Sequence, residues 1–318
     1  MSKPWKSQKD SYSSALKYLK QRQLGLVKSI KTPWNKFNDA TLDGLEWNTI
    51  IVIGARPGTG KTVIADQIVR EAHRLNPDQN FRVLQFQFEM LGRTQAIREY
   101  TSVLSKSYKY LCSAEGTITD EDLDKCYKYS QKKVAGSKVN VIDNPCTVAE
   151  FEKLVLEYYE EYKEPVLVTI DHSILFQKAP YEKDLQEMLS NLGKTLTQLK
   201  KQIPVLFILL SQLNRNSDNP ERAEDGKYSN YILESDIFGS DALLQHADLL
   251  IGVNRPAKQK IKYYGPDRYI IDDDKTLVFH FLKVRNGEPR ISFFRAEFEK
   301  MSIAEMVTPA TQSKRLTV

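Results

Sequence analysis

A run of β-branched residues at 50–53 leads directly into a glycine-rich segment that ends in Lys-Thr, and this junction constrains the fold most strongly. Residues 55–62 read Ala-Arg-Pro-Gly-Thr-Gly-Lys-Thr. Gly58 and Gly60 allow successive backbone N–H groups to curl around an anion. Apolar residues every three or four positions from 64 to 75 predict a helix, whose N-terminus favours negative charge. Strand, loop and helix together predict a phosphate-binding loop.

The residue types in this loop suit a polyphosphate and a metal ion. Lys61 supplies a point charge for the outer phosphates, and the Thr62 hydroxyl is placed to hold Mg²⁺. Ala55 stands where the strict pattern has its first glycine, so the pattern is met in a relaxed form. The alternative, a glycine-rich turn that binds no nucleotide, is disfavoured by the flanking strand and helix. The predicted nucleotide-binding residues are Ala55, Arg56, Pro57, Gly58, Thr59, Gly60, Lys61 and Thr62.

Composition places the chain among ordinary globular proteins. Of its 318 residues, 41% are apolar and 27% charged, which suits one large α/β domain with a small appendage. Because no apolar run approaches the roughly 18–20 residues that cross a bilayer, we expect no membrane segment. Three cysteines without C-x-x-C spacing argue against a disulfide framework or a zinc site. We therefore expect a reducing, cytoplasmic location.

The net charge of +5 is distributed unevenly. Residues 1–35 hold eight Lys or Arg and one Asp, a net charge of +7. A basic arm of this kind is consistent with a polyanionic partner. A solvated tail without a partner fits the charge equally well, so composition leaves both open.

Periodicity divides the chain into four parts. We predict a disordered basic tail at 1–10, a linker helix region at 11–35, a domain at 36–300 and a C-terminal tail at 301–318. Within the domain, apolar runs alternate with helical patterns, which implies a doubly wound, mainly parallel sheet. The predicted strands are 50–53, 82–88, 139–142, 166–170, 204–210 and 247–253. The predicted helices include one capped by Thr147 and Glu150 and one at 184–202.

The end of the domain differs from this alternation. Two β runs, 276–285 and 290–294, flank the dipeptide Asn286-Gly287, which is a strong hairpin signal. Lys283 and Arg285 lie one residue apart just before the turn. They are either solvated charges of an edge strand or cations that reach an ATP bound to a neighbouring subunit.

Polar residues close three of the predicted strands. Glu89 follows the strand at 82–88, Asp171 the strand at 166–170, and Gln212 the strand at 204–210. Functional groups of open α/β sheets gather at the carboxyl ends of strands. Phosphoryl transfer to water requires a carboxylate near Mg²⁺, a group that activates water and a group that senses the γ-phosphate. We expect these three side chains to meet at the phosphate-binding loop.

Taken together, these segments resemble the C-terminal motor domain of the DnaB family of replicative hexameric helicases, within the RecA-like superfamily. The similarity spans roughly residues 40–295. The matching stretches are Ala55-Arg-Pro-Gly-Thr-Gly-Lys-Thr62, Gln87-Phe-Glu-Met90, Thr169-Ile-Asp171, Leu210-Ser-Gln-Leu-Asn-Arg215, Gln245-His-Ala-Asp248 and Lys283-Val-Arg-Asn-Gly287.

The resemblance implies a RecA-like P-loop NTPase core with ATP and Mg²⁺ as cofactors. Lys61 and Thr62 would bind phosphate and Mg²⁺, with Asp171 holding Mg²⁺ through its shell. Glu89 would polarise the attacking water, and Gln212 would report the γ-phosphate to DNA-facing loops. Lys283 and Arg285 would act on the ATP of the neighbouring subunit, which makes a ring obligatory for turnover.

The resemblance also implies single-stranded DNA as a ligand, but the DNA-facing loop departs from the family pattern. Residues 236–242 lack the usual arginine, although backbone N–H groups at Gly239 and Ser240 can bind phosphate. The polar segment 214–233 supplies further DNA-contact candidates, with tyrosines available for stacking. Those candidates are Arg215, Arg222 and Lys227. His172 replaces the usual aromatic residue after the magnesium aspartate, and we expect it to be packed and neutral.

Only about 40 residues precede the core, whereas bacterial members carry a helical collar domain that engages primase. The resemblance therefore implies a short phage-type form, with a primase or helicase loader as further candidate partners. Two interpretations exist for the helix at 11–30: it packs on the adjacent subunit as a linker, or it docks on its own domain.

The sequence-based function is an ATP-dependent DNA helicase motor that forms a hexameric ring and moves along single-stranded DNA. One alternative is a RecA-, RadA- or KaiC-like ATPase, which the Ser-Gln-Leu-Asn-Arg and Lys-x-Arg-Asn-Gly stretches disfavour. Another is a nucleotide-gated ring scaffold that recruits replication proteins, which Glu89 disfavours because a scaffold needs no water-activating carboxylate.

Overall fold

The structure, a computed structural model, describes residue 5, residues 7–239 and residues 243–312. Strands and helices alternate over most of this range. The helices are α1 Gln8–Gln23, α2 Asn35–Asp39, α3 Lys61–Leu75, α4 Gly92–Leu104, α5 Tyr108–Cys112, α6 Asp120–Val134, α7 Val148–Tyr162 and α8 Leu185–Gln202. The strands are β1 Ile50–Ala55, β2 Arg82–Gln87, β3 Val139–Ile142, β4 Val166–Asp171, β5 Val205–Gln212, β6 Leu249–Asn254, β7 Tyr263–Tyr264, β8 Tyr269–Ile270, β9 Thr276–Val284, β10 Arg290–Glu297 and β11 Ser302–Glu305.

A nine-stranded sheet organises these elements, in the order β11-β10-β9-β6-β1-β5-β4-β2-β3. The strands from β6 to β3 in this order are parallel, and β9, β10 and β11 add an antiparallel edge. The prediction of a mainly parallel sheet with a C-terminal hairpin is therefore confirmed. Each of the six strands predicted before the hairpin is present, with ends that differ by at most two residues.

Two apolar cores lie on the two faces of the sheet. Ile51 and Ile53 of β1 belong to one core, which includes α3, whereas Ile50 and Val52 belong to the other, which includes α7 and α8. Side chains of a strand alternate between faces, so a strand covered on both sides is apolar at every position. This explains the continuous apolar run from 50 to 53. It also places β1 in the fully buried middle of the sheet.

Helix starts follow the capping signals in the sequence. Thr147 and Glu150 form the predicted capping box of α7, in which the Thr147 hydroxyl accepts a hydrogen bond from the Glu150 N–H. Thr119 and Asp122 form a second box at α6. No helix in the described ranges is long and apolar enough to cross a membrane.

The predicted domain boundary at residue 300 is wrong, because one further strand of the sheet follows it. Residues 302–305 pair antiparallel with β10 and extend the sheet. Ile303 is 3% exposed, and its carbonyl accepts a hydrogen bond of 2.9 Å from the indole nitrogen of buried Trp34. The strand was overlooked because it is only four residues long and has a single buried apolar position.

The boundary of the N-terminal tail is also corrected. Helix α1 begins at Gln8, capped by Ser7, so residues 8–10 are helical. The sequence carries the capping signal, because Ser7 and Asp10 have the spacing of a capping box. None of the residues of α1 is buried, and Tyr12, Leu16 and Leu19 are each at least 60% exposed. The helix contacts its own domain through polar groups near its C-terminal end, where Tyr18 and Arg22 meet Glu46.

A chain that ends after Lys300 should lose about 3 kcal/mol of unfolding free energy relative to the full chain. Burial of Ile303 contributes about 2 kcal/mol and the Trp34 hydrogen bond about 1 kcal/mol. Urea unfolding followed by tryptophan fluorescence measures this difference. A chain that ends after Thr308 keeps β11 and is the control. Equal midpoints for the two truncated chains would contradict a structural role for this strand.

Candidate active site

The phosphate-binding loop lies at the carboxyl end of the central strand β1, as predicted. Gly58 has φ +70° and Gly60 has φ +104°, backbone conformations that L side chains rarely adopt. Gly60 is the N-cap of α3, so the helix begins at Lys61. Backbone N–H groups at the start of this helix have no partner within the helix and suit an anion.

Two predicted carboxylates, Glu89 and Asp171, converge on Lys61 and Thr62 of the loop. The Thr62 hydroxyl donates a hydrogen bond of 2.8 Å to the Asp171 carboxylate. The Lys61 ammonium lies 3.5 Å from Asp171 and 3.8 Å from Glu89. Asp171 is 2% exposed, whereas the side chain of Glu89 is 53% exposed. Glu89 therefore faces solvent, where it can meet a water molecule, while Asp171 forms the floor of the site.

His172 lies between Glu89 and Gln212. Its Nε2 is 3.9 Å from a Glu89 carboxylate oxygen and 3.4 Å from the Gln212 amide nitrogen. Burial lowers the pKa of His172 and the nearby Lys61 charge lowers it further, so the ring is neutral at pH 7. The expectation of a packed, neutral histidine is thereby confirmed.

Gln212 connects this centre to the loop proposed to face DNA. Its carbonyl accepts a hydrogen bond of 2.8 Å from the Phe238 N–H, and Leu213 forms an isolated bridge with Ile237. Ser211 also donates from its hydroxyl to the Phe238 carbonyl, at 3.2 Å. The end of β5 and the segment 237–238 are therefore joined in one hydrogen-bonded unit.

The Thr62 hydroxyl and the Asp171 carboxylate fit a magnesium ion. Mg²⁺ prefers oxygen ligands and is commonly bound by one or two protein groups plus substrate phosphates. The described residues contain no group of three or more His, Cys, Asp or Glu side chains with metal-ligand geometry. A metal at this place would take its remaining ligands from nucleotide phosphates and water.

A second carboxyl, Asp66, lies on α3 one turn beyond Thr62. Burial raises the pKa of Asp66 to about 7, and the charge of Asp171 contributes in the same direction. Gln95 donates a hydrogen bond of 3.4 Å to it. Asp66 is therefore protonated in a substantial fraction of molecules at neutral pH, which lessens repulsion with Asp171.

Sequence reasoning missed a cavity of about 290 Å³ beside the loop. Arg56, Pro57 and Arg255 contribute to its lining. The guanidinium of Arg255 lies 4.7 Å from the ring centroid of Phe298, which in turn contacts the position where Gly60 would carry a side chain. Arg255 follows the last residue of β6, so the rule that selected Glu89 and Asp171 would also have found it.

The residues predicted to contact DNA differ in their exposure to solvent and in whether their charge is already paired. Arg215 is exposed, and Lys227 is exposed beside Glu224. Arg222 is corrected, because its guanidinium forms a buried ion pair of 2.5 Å with Asp236 and donates to two backbone carbonyls. Gly239 has φ +69°. Ser240 lies outside the described residues.

Lys283 and Arg285 lie near the amino-terminal ends of the parallel strands, whereas the loop lies at their carboxyl ends. Val284 pairs with Leu249, which pairs with Ile51, whereas the loop leaves β1 after Ala55. The four-residue advance along β1 from Ile51 to Ala55 separates these two places by about 13 Å. Lys283 donates a hydrogen bond of 2.7 Å to the Leu244 carbonyl, and Arg285 forms an ion pair of 2.6 Å with Asp248. The pair is therefore directed away from its own phosphate-binding loop.

The fold and the site define a RecA-like α/β domain with a nucleotide-type phosphate loop. A family model for the DnaB-like helicase C terminal domain matches residues 29–302, and the chain belongs to this family.

Curated relatives include the replicative DNA helicases DnaB of Buchnera aphidicola and Helicobacter pylori. The Buchnera protein is 27% identical over 230 residues, which cover 72% of this chain and 47% of the relative. The Helicobacter protein is 28% identical over 233 residues, covering 72% of this chain and 44% of the relative. The chain therefore spans about half the length of these relatives.

Solved structures agree on the fold. One, described as an ATPase domain, superposes with a TM-score of 0.78 and 17% identity, covering 93% of this chain and 98% of that one. A DnaB-like replicative helicase, described with its interactions with primase, gives a TM-score of 0.74 with 18% identity, covering 88% of this chain and 64% of that one.

Replacing Gly60 with alanine should weaken nucleotide binding at least about tenfold, because the new Cβ lies 2.5 Å from Phe298 and the backbone has positive φ. Fluorescent ADP titration measures the affinity. Gly25→Ala is the control, since Gly25 has φ +67° and no atom lies within 4 Å of a Cβ added there. Both changes should cost about 1 kcal/mol of stability, and equal ADP affinities would contradict the assignment.

Proposed function

We propose that this chain is the ATP-driven motor of a replicative DNA helicase, active as a hexameric ring on single-stranded DNA. One observation carries the proposal: Lys61, Thr62, Glu89 and Asp171 meet at the carboxyl ends of the parallel strands, whereas the half-buried Lys283 and the exposed Arg285 lie at the amino ends of those strands. Neighbouring copies arranged head to tail would complete each other's sites. Membership of the helicase family supports this interpretation.

In this proposal, each residue near the loop has a distinct task. Backbone N–H groups of residues 58–62 and the Lys61 ammonium bind the phosphates of ATP. Thr62 and Asp171 would hold Mg²⁺, which neutralises phosphate charge when bound. Glu89 accepts a proton from the attacking water, and its exposure leaves room for that water. His172 lies between Glu89 and Gln212, and through it Gln212 would respond to the γ-phosphate.

The cavity beside the loop suits the base and ribose. Arg255 lines this cavity, and its guanidinium, which lies over the Phe298 ring on one side, would stack on the face of a nucleobase on the other. Asn254 and Lys258 supply polar groups at the same cavity. We propose this cavity as the nucleoside subsite.

Lys283 and Arg285 would act on ATP bound to the next subunit. Their place at the far edge of the sheet supports this, because the strand length keeps them from their own loop. Cations supplied by a neighbour stabilise the charge that develops on the transferred phosphoryl group. The two cations thus couple turnover to assembly.

DNA would contact the side of the domain that carries Arg215, Lys227 and the loop at Gly239. The hydrogen bond from the Phe238 N–H to the Gln212 carbonyl supports a link between this loop and the γ-phosphate. Exposed cations and backbone N–H groups bind phosphates without reading sequence. That suits a motor that moves along any strand. A DnaB-like relative has been described with primase, and primase or a loader is a candidate partner here.

Helix α1 would pack on an adjacent subunit. Tyr12, Leu16 and Leu19 form an exposed apolar stripe with spacing of four and three residues. None of the residues of α1 is buried, so this apolar face is exposed. A second copy is the partner we propose.

ATP hydrolysis with and without single-stranded DNA tests the motor. We expect stimulation by DNA, and a loss of roughly 10³-fold in the rate of ATP hydrolysis in Arg285→Ala with nucleotide binding retained.

Glu89→Gln should lose at least about a hundredfold in hydrolysis while still binding ATP. Arg290→Ala removes a cation from the other strand of the same hairpin and serves as the control. Hydrolysis indifferent to DNA and to Arg285 would favour a scaffold.

Replacing Leu16 and Leu19 together with serine should raise the concentration needed for assembly at least about tenfold, because each leucine buried between subunits contributes about 1.5–3 kcal/mol. Mass photometry over a dilution series measures it. Ser13→Ala with Lys17→Ser changes another face of α1 and should leave assembly unchanged. Identical dilution curves for both double variants would rule out packing through this stripe.

A further inference from the structure

Arg285 is held by a buried carboxylate that the proposed mechanism does not use. Asp248 is 7% exposed and lies just before β6. One of its oxygens accepts from the Arg285 guanidinium at 2.6 Å. The Arg285 N–H also donates to the Asp248 carbonyl at 2.9 Å. Asp248 therefore fixes both the backbone and the side chain of Arg285.

The same carboxylate is bound to the first residue of β1. Its other oxygen accepts from the Ile50 N–H at 2.8 Å, and the Asp248 N–H donates to the Ile50 carbonyl at 2.8 Å. β1 runs from Ile50 to Ala55 and continues into the phosphate-binding loop. Asp248 thus links the hairpin cation to the strand that carries the loop of the same subunit.

Lys200 makes it possible for Arg285 to leave this carboxylate. The Lys200 ammonium lies 2.6 Å from Asp248, and its side chain is 12% exposed. A buried charge that loses its only partner is strongly destabilising. Because Lys200 remains, Asp248 stays neutralised when Arg285 turns toward another anion. The Arg285 side chain is 54% exposed and so has room to turn.

We propose that Asp248 is a positioning residue for Arg285. It holds the guanidinium at the subunit surface, ready for the phosphates of the neighbouring subunit, and fixes that position relative to β1. The inference rests on the proposed action of Arg285 on the adjacent ATP. A purely structural Asp248 would instead serve the Ile50 N–H and Lys200 alone, and would affect its own subunit.

Mixed rings separate these two roles. Subunits with Lys61→Ala have a defective loop but intact Asp248 and Arg285. Subunits with Asp248→Asn have an intact loop, and the isosteric amide keeps an oxygen for the Ile50 N–H. Asp248→Asn alone should lose at least about tenfold in kcat, with KM for ATP changed less than about twofold. Adding Arg285→Ala to Asp248→Asn should give no less activity than Arg285→Ala alone.

When the two defective proteins are assembled together, some Asp248→Asn sites receive an intact Arg285 from a Lys61→Ala neighbour. We expect ATP hydrolysis well above that of either protein alone. The same mixture with Arg285→Ala in place of Asp248→Asn tests the proposed action between subunits. Recovery with Arg285→Ala but not with Asp248→Asn overturns the inference and leaves the proposed function intact. No recovery with Arg285→Ala overturns the action of Arg285 on the neighbour's ATP.

Two further variants guard against a folding defect. Lys200→Met removes the other cation from the same carboxylate and should lower kcat, because Asp248 is then left unpaired when Arg285 turns away, but by less than Asp248→Asn, because Arg285 keeps its carboxylate. If Asp248→Asn unfolds, the double variant Asp248→Asn, Lys200→Met is used in the mixtures instead. It removes the buried lysine charge together with the carboxylate that neutralises it. A kcat loss in Lys200→Met equal to that in Asp248→Asn would show that the ion pair with Lys200, rather than Arg285, carries the effect.

Discussion

The pairing of β1 on both sides is the constraint on which the rest of the structure depends. β5 and β6 bond to it along its length, and both faces are covered by apolar cores. A strand held in this way has one fixed end from which the phosphate loop can leave. The carboxylates of β2 and β4 then fall beside that loop because parallel strands end together. Lys61, Glu89 and Asp171 therefore lie close together because the register between neighbouring parallel strands brings their carboxyl ends to the same level.

Much of the fold could be predicted because local signals agree with the global arrangement. The apolar runs of β1 and β5 are continuous, which marks strands buried on both faces. Asn286-Gly287 identified the hairpin through its turn preference. The same logic found Glu89, Asp171 and Gln212, since polar residues directly after such runs must lie at one edge. The phosphate-binding loop and the polar residues next to it could thus be predicted from the sequence.

Other features depend on contacts between distant residues and leave no local pattern. Arg222 looked like a free surface cation, and only the approach of Asp236 shows that its charge is already paired. Trp34 and Ile303 meet across most of the chain, so β11 was assigned to a tail. Arg255 and Phe298 are separated by the entire hairpin, and neither forms a motif alone. Asp248 was visible in a matching stretch, but its three partners come from three different elements.

The placement of the loop and of Arg285 at opposite edges has a consequence for symmetry. Two copies that meet through these surfaces form a heterologous contact, in which each copy uses a different face from its neighbour. Such a contact leaves one free face at either end of any open string of copies, and only closure removes both. In the proposed assembly, an open string would therefore contain one site without cations from a neighbour, and only a closed ring would have as many complete sites as subunits.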